Sequence, residues 1–245
     1  MNLNQTSCGS AADAQRAQAE LRYGIESDHR YPPGDSARFD IALELIGRRG
    51  RVLDVGAFDG QFSTRIRGIG NDVVALDVSE RALELARRKG LPTVCCDLTK
   101  LPWPFEEASF DCVFAGEIIE HLVDTDAFLR ECHRVLRSGG SLVLTTPNLA
   151  SLGRRLMLLA GINPYIDTAV RKDLAGHVRY FVRSSLKLLL AENGFAVREL
   201  RGDYVSITPS GAGSRALAKY MPFLARGIVV RAVTEPVLGV SADAL

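Results

Sequence analysis

The sequence predicts a largely parallel α/β fold, and three observations carry that expectation. Five short apolar runs recur at residues 52–56, 73–78, 93–97, 110–115 and 141–146. Segments with helical spacing separate them, and a glycine-containing turn follows the first run. Runs of this length alternating with helices are the pattern of buried parallel strands whose crossover helices return the chain to the start of the next strand.

The elements follow in order. Residues 1–36, rich in Ala, Gln, Ser and Asn near their start, are expected as an N-terminal extension, frayed or shortly helical, and residues 37–245 as one domain. From Ala37 the residues Phe39, Ala42, Leu43 and Ile46 fall at helical spacing, with Gly47 and Gly50 ending that helix before the first strand. Further helices are expected from Gln61 to about Arg67, at 79–90 and at 125–140. In the last of these Phe128, Cys132 and Val135 form an apolar stripe, Arg130, Glu131, Arg134 and Arg137 face outward, and Gly139 and Gly140 close the element. Residues 148 to about 180 then break the rhythm, and 32 residues as far as Arg179 exceed the roughly 12–15 of an unstructured loop. A structured insertion is expected there, with a basic-edged helix, placed as a lid or substrate wall beyond the fifth strand. A helix at 184–194, a strand at 195–202, a short helix stopped near Pro222 and a strand at about 228–233 complete the chain.

Composition removes several function classes. At 245 residues with 47% hydrophobic side chains, the chain can bury roughly 70% of its unfolded surface and needs no metal or disulfide to fold. Thirty basic and 29 acidic residues give a net charge of +1, so no general nucleic-acid binding is expected. Five cysteines, an odd number without a CxxC, three of them in segments that read as buried, fit a reducing, cytoplasmic setting. No secretion signal is legible, and no apolar run approaches the about 20 residues of a membrane span. Leu217, Met221, Phe223 and Leu224, beside Lys219 and Arg226, leave peripheral membrane or lipid contact as a reading next to ordinary packing. Oligomeric state is not encoded in any readable pattern.

The strongest local signal is RVLDVGAFDGQFS, where Asp54 ends the first strand and Gly56 and Gly60 precede a helix. Glycines there let backbone approach a ligand, and the helix start offers unpaired N–H donors. The dinucleotide fingerprint G-x-G-x-x-G fails at its second and third glycines, which argues against a pyrophosphate. Asp77 ends the second strand 17 residues beyond Gly60, where a carboxylate can accept two ribose hydroxyls. Asp97 ends the third, where it can meet an adenine amino group. Each aspartate alone is explained equally well as a helix cap or turn acceptor, so the inference rests on the ordered set.

Read through to EIIEHL, this set resembles the class I S-adenosylmethionine-dependent methyltransferases, in their small-molecule and quinone-biosynthesis branch. The resemblance covers about residues 38–233 and implies a Rossmann-like seven-stranded sheet in the order 3-2-1-4-5-7-6, strand seven antiparallel, with helices on both faces. It implies S-adenosyl-L-methionine as cofactor, with S-adenosyl-L-homocysteine as product. Asp54, Gly56, Ala57, Phe58 and Gly60 would cradle the methionine part, Asp77 and Val78 the ribose, and Cys96, Asp97 and Leu98 the adenine. Glu117 would lie near the methionine ammonium. Phe58 departs from the family, which commonly has glycine there, so its ring must find a place under the loop or beside the ligand.

The family's E-x-x-E-H pattern, matched by Glu117, Glu120 and His121, has been assigned to a divalent metal and to catalysis. Two carboxylates and one imidazole are a weak Mg²⁺ or Mn²⁺ set by themselves, so metal: none is the expectation. His121 is the candidate general base, with Tyr165, His177, Arg179 and Tyr180 as candidate substrate-pocket residues, each with a plainer account as lid packing. Arg154, Arg155, Arg171 and Lys172 form a basic face that reads as solvated lid or as a phosphate contact. The expected function is methyl transfer to an oxygen or nitrogen of a small-molecule acceptor. A noncatalytic cofactor-binding domain and an NAD-dependent oxidoreductase are the alternatives.

Overall fold

The structure is a computed structural model that describes residues 33–164, 177–206 and 213–235. Helix α1 (Pro33–Ile46) leads into β1 (Arg51–Val55), α2 (Gln61–Gly68), β2 (Asp72–Asp77), α3 (Glu80–Arg88) and β3 (Thr93–Cys95). Next come β4 (Phe110–Gly116), a 3-10 turn (Ile119–His121), α4 (Thr125–Val135), β5 (Leu136–Pro147) and α5 (Leu152–Leu159). The chain continues through α6 (Arg183–Glu192), β6 (Phe195–Gly202), β7 (Val205–Ser206), β8 (Gly213–Ser214), α7 (Arg215–Tyr220), a second 3-10 turn (Pro222–Leu224) and β9 (Gly227–Thr234).

Seven strands form one sheet in the order β3-β2-β1-β4-β5-β9-β6, with β9 antiparallel to both neighbours and every other pair parallel. With β9 in the seventh place, this is the order the resemblance implied. Alternation along the strands sorts side chains onto two faces. Val52, Val73, Cys112, Phe114, Val143 and Val229 meet Phe39 and Ile46 of α1 and Phe62 of α2. Leu53, Val74, Val113, Leu142 and Val230 point the other way, to Phe128 and Cys132 of α4 and Leu186 and Leu190 of α6. The Phe39, Phe62 and Phe114 rings, 4.6–6.3 Å apart between centroids, fix α1 and α2 against the sheet. Truncating the buried Phe114 is expected to cost about 3–5 kcal/mol.

Four local expectations are corrected. The fourth crossover helix ends at Val135, and Gly139 and Gly140 lie within β5. Within the twelve-residue strand, β4 pairs with Leu136 and, after a register shift, from Ser141 onward, where β9 pairing also begins, so the two glycines fall in the irregular stretch between. Glu131 is buried rather than outward, its carboxylate accepting from the Trp103 N–H and from Arg134, whose charge holds it below the usual carboxylate range against the opposing pull of burial. The third strand stops at Cys95, which is exposed, because β3 is a sheet edge. Cys112 and Cys132 are in the core as the sequence suggested, with burial raising both thiols. The first helix starts at Pro33, not Ala37. No helix among the described residues is long and apolar enough to cross a membrane.

Candidate functional site

The order of the sheet reverses between β1 and β4, so a crevice opens outside their carboxyl ends, the usual ligand position in an open α/β sheet. Two of the three non-glycine residues with positive φ among the described residues stand there, Phe58 at 52° after β1 and Glu117 at 56° after β4. The left-handed conformation costs such residues roughly 1–2 kcal/mol each, so both are held by their surroundings.

Phe58 is held by β2. Its N–H donates to Asp77 Oδ2 at 2.9 Å, and the N–H groups of Gly56 and Ala57 donate to Leu76 O at 2.8 and 3.0 Å. Phe58 is half-buried. Gly56 and Gly60 both take positive φ, and a Cβ on either would strike protein, Ile118 in one case, Leu91 and Ala86 in the other. Asp77 Oδ1 accepts the Ser79 N–H, and Ser79 Oγ caps α3 by accepting from Ala82. The Cys96 N–H donates to Asp77 O at 2.9 Å, which brings the ends of β2 and β3 together. Asp97 Oδ1 accepts from the N–H and hydroxyl of Thr99, so its turn-acceptor role is realised. Val78 O receives a contact from Cys95 Sγ, and Leu98 is half-buried beside the main core. The expected donor-side residues therefore form one contiguous rim.

Asp54 is fully enclosed. Its Oδ2 accepts from Ser63 Oγ at 2.5 Å, and burial, with a smaller push from the charge of Asp77, raises its carboxyl to about 7. Asp77 is raised for the same reason, opposed by the backbone N–H groups of Ser79, Phe58 and Val78. Two buried acids that repel each other favour a cationic ligand group and disfavour an anionic one.

On the other side of the crevice, Glu117 is gripped from two elements, β5 and α1. Oε1 accepts from Thr145 Oγ1 at 2.7 Å, the Glu117 N–H donates to Thr145 O, and Oε2 pairs with Arg38 of α1. Arg38 is itself buried and donates through Nε and Nη2 to Asp203 Oδ2. Asp203 Oδ1 in turn accepts the N–H groups of Tyr204 and Gly227. Sequence reasoning missed Arg38, Thr145 and Asp203. No local motif marks them, and their partners lie 79, 28 and 165 positions away in sequence for Arg38–Glu117, Thr145–Glu117 and Arg38–Asp203.

Beyond Glu117, Glu120 is buried, with Oε2 accepting from Thr146 Oγ1 at 3.0 Å and Oε1 without a partner among the described residues. Burial, then the charge of Glu117, pushes its carboxyl well above the usual range. Its carbonyl accepts the N–H groups of Val178 and Arg179, pinning the end of the insertion to the turn after β4. That brings the His121 ring to 4.8 Å from the His177 ring, with Tyr180 6.4 Å beyond His177. Arg179 instead extends to Val123 O. Tyr165, Arg171 and Lys172 lie outside the described residues. Ligand atoms of Glu120, His121 and His177 come within 4.8 Å of one another and could hold a metal ion. The set differs from the one the sequence pattern suggested, because Glu117 is committed to Arg38 and His177 takes its place. Two imidazoles and one carboxylate suit zinc better than magnesium.

A family described as a methyltransferase domain matches residues 53–144. A probable S-adenosylmethionine-dependent methyltransferase of Mycolicibacterium smegmatis is 31% identical over 205 residues, covering 81% of this chain and 72% of the relative. The human mitochondrial ubiquinone biosynthesis O-methyltransferase is 28% identical over 167 residues, 64% of this chain and 44% of that protein. The match thus spans about half the length of the human relative, and likewise 48% of a Mycobacterium tuberculosis one. Among solved structures, the 1,6-didemethyltoxoflavin-N1-methyltransferase of Burkholderia thailandensis, with bound 1,6-didemethyltoxoflavin and S-adenosylhomocysteine, superposes with a TM-score of 0.63 at 20% identity, covering 96% of this chain and 94% of that one. That likeness is one of fold.

Proposed function

The chain belongs to the S-adenosylmethionine-dependent methyltransferases, and from that premise we propose that it moves the donor's methyl group to an oxygen or nitrogen of a small-molecule acceptor. The observation that carries this reading is the crevice at the sheet reversal, flanked by the constrained Phe58 turn with two buried acids on one side and by Glu117, His121 and His177 on the other. One relative is named for O-methylation in ubiquinone biosynthesis and one structural neighbour for N1-methylation, and both names speak of small acceptors.

The residues fit the donor. Glu117 favours the methionine ammonium across the crevice from the Asp54 turn, Asp77 accepts ribose hydroxyls with lone pairs its backbone bonds leave open, and Cys96, Asp97 and Leu98 line the adenine end. The same acids oppose the pyrophosphate of a nicotinamide dinucleotide. When bound, S-adenosylmethionine supplies a methyl already activated on a sulfonium. What the protein adds is orientation, exclusion of water by the insertion, and removal of the acceptor's proton. His121 accepts that proton, while His177 and Tyr180 bound the acceptor side. Glu120 is pinned under the insertion, and Glu117 is held by Arg38 and Thr145.

The test is calorimetric titration with S-adenosylhomocysteine and with NAD, followed by a screen of small-molecule acceptors with labelled methyl donor. Binding of S-adenosylhomocysteine but not NAD, with label entering a small molecule, supports the proposal. Tight NAD binding alone, or label entering only nucleic acid or protein, overturns it. With the acceptor in hand, His121→Ala should lower kcat by about 10²–10⁴-fold while leaving S-adenosylhomocysteine affinity unchanged, and an unchanged rate across the pH profile removes His121 as the base.

A further inference from the structure

Helix α5 differs from every other helix of the fold, because none of its residues is buried. Its first residue, Leu152, packs against a small satellite core of Val205, Ala218 and Ala225, which Leu217 and Leu224 also join. This ties α5, α7 and the second 3-10 turn into one layer just beyond the carboxyl end of β5. The outer side of the layer is apolar. Leu156, Leu158, Leu159 and Ile162 are exposed on the α5 side, and Tyr220 and Phe223 on the α7 side, with Leu159 84% and Tyr220 78% accessible. The Arg155 guanidinium lies 6.0 Å over the Phe223 ring, so the exposed apolar residues of α5 and of the segment around Phe223 are neighbours on the surface. Large apolar residues gathered in this way on a surface mark an interaction site more often than a solvated one.

The charge around the face names the partner. Residues 148–164 and 213–227 contain five arginines and lysines and not one aspartate or glutamate. Arg215 pairs with Asp40, at the edge. Arg155 donates to Ala150 O and Arg226 to the Tyr204 hydroxyl, both neutral partners, and Lys219 is exposed, so among the described residues no acid pairs with these three charges. We propose that this face docks the protein on an anionic lipid bilayer, with the leucines of α5, Tyr220 and Phe223 in the headgroup boundary and Arg155, Lys219 and Arg226 among the lipid phosphates. An apolar stripe rimmed by basic residues is the composition of a helix that lies in the membrane interface, and an eight-residue helix of roughly 12 Å can lie in that plane but not cross it. A second copy of the chain is the poorer occupant, because a two-fold interface would press the same positive charges together.

The position has a consequence for the reaction. Thr146, at the end of β5, bonds Glu120 beside His121, and α5 begins six residues later. Docking would therefore set the acceptor side of the crevice close to the headgroup layer, where an amphiphilic acceptor is held. The docking itself rests on the surface and not on the methyl-transfer reading.

The full chain is tested by co-sedimentation with vesicles of phosphatidylcholine alone and of equimolar phosphatidylcholine and phosphatidylglycerol. The proposal expects binding to the anionic vesicles, weakened by salt and by removal of phosphatidylglycerol. The double variant Leu158→Ser and Leu159→Ser, and separately Lys219→Glu, should each lower the bound-to-free ratio by about tenfold with unchanged melting temperature. Absence of wild-type binding, or binding equal in the variants, overturns it. So does sedimentation velocity showing a dimer that Leu159→Ser converts to monomer, because the face would then be a contact between copies.

Discussion

The two banks of the crevice are built by opposite strategies. On the donor bank, Asp54, Gly56, Phe58 and Asp77 come from two neighbouring strands and their turns, and their hydrogen bonds join residues at most 20 positions apart, as in Gly56–Leu76. On the acceptor bank, Glu117 depends on Arg38, Arg38 on Asp203, and His121 on the return of His177 across the insertion. The first bank is a local device that any chain with this motif would form. The second is a set of charges that exists only when α1, β4, β6 and the insertion have all docked, so its residues act on stability and site geometry together.

Arg38→Met should expose this difference most strongly. It leaves the buried Asp203 and the confined Glu117 without their cation, with an expected loss of about 3–5 kcal/mol in urea unfolding, since one partner of a buried pair is removed. S-adenosylhomocysteine affinity per folded molecule should fall less than in a donor-bank variant. Equal loss on both counts would mean that the banks are one unit.

Next in size, Asp77→Ala should weaken S-adenosylhomocysteine binding by about 10–100-fold, because it removes two charge-assisted acceptors and loosens the Phe58 turn. Unchanged calorimetric affinity would remove the ribose assignment.

Asp54 gives a pH-dependent test of the donor bank. Its carboxyl stands at about 7 in the folded chain against 3.8 ordinarily, so the folded state binds the proton more tightly. Stability of the ligand-free protein therefore falls as pH rises from about 4 to about 7, and the deficit persists above that window. Asp54→Asn should flatten this slope and raise stability at pH 8 by about 2 kcal/mol, less than the full linkage because the new amide needs its own partners. Parallel pH profiles in the two proteins would show that Asp54 is not the group responsible.

The smallest effect is expected at Glu120. Burial disfavours a charge there, so Glu120→Gln, which keeps its shape, should change stability by under about 1 kcal/mol at pH 7, read as a melting temperature. A large loss would show that the carboxyl group itself is needed at that place.

Legibility followed the same division. Strand periods, the glycine turn and the acids at strand ends could be read because each depends on neighbours within one βα unit. The outward placing of Glu131 failed because helical period alone does not reveal that the Trp103 N–H waits beside it. Gly139 and Gly140 look like a helix stop, yet the helix ends at Val135 and the glycines lie in β5, between Leu136 and Ser141, which both pair with β4. Arg38 sits in a helix whose apolar spacing was plain, but nothing near it in sequence announces two carboxylates from β4 and the end of β6.

By itself, then, the sequence determined the α/β rhythm, the glycine turn and the donor-side acids, because backbone conformation, side-chain period and short-range hydrogen bonds are properties of contiguous residues. Only the tertiary structure decided that Glu117 is bound to Arg38 while His177 joins Glu120 and His121, and that α5 leaves its leucines on the surface. Those outcomes depend on which distant groups share a desolvated space, and a buried charge or an uncovered apolar face is defined by its surroundings.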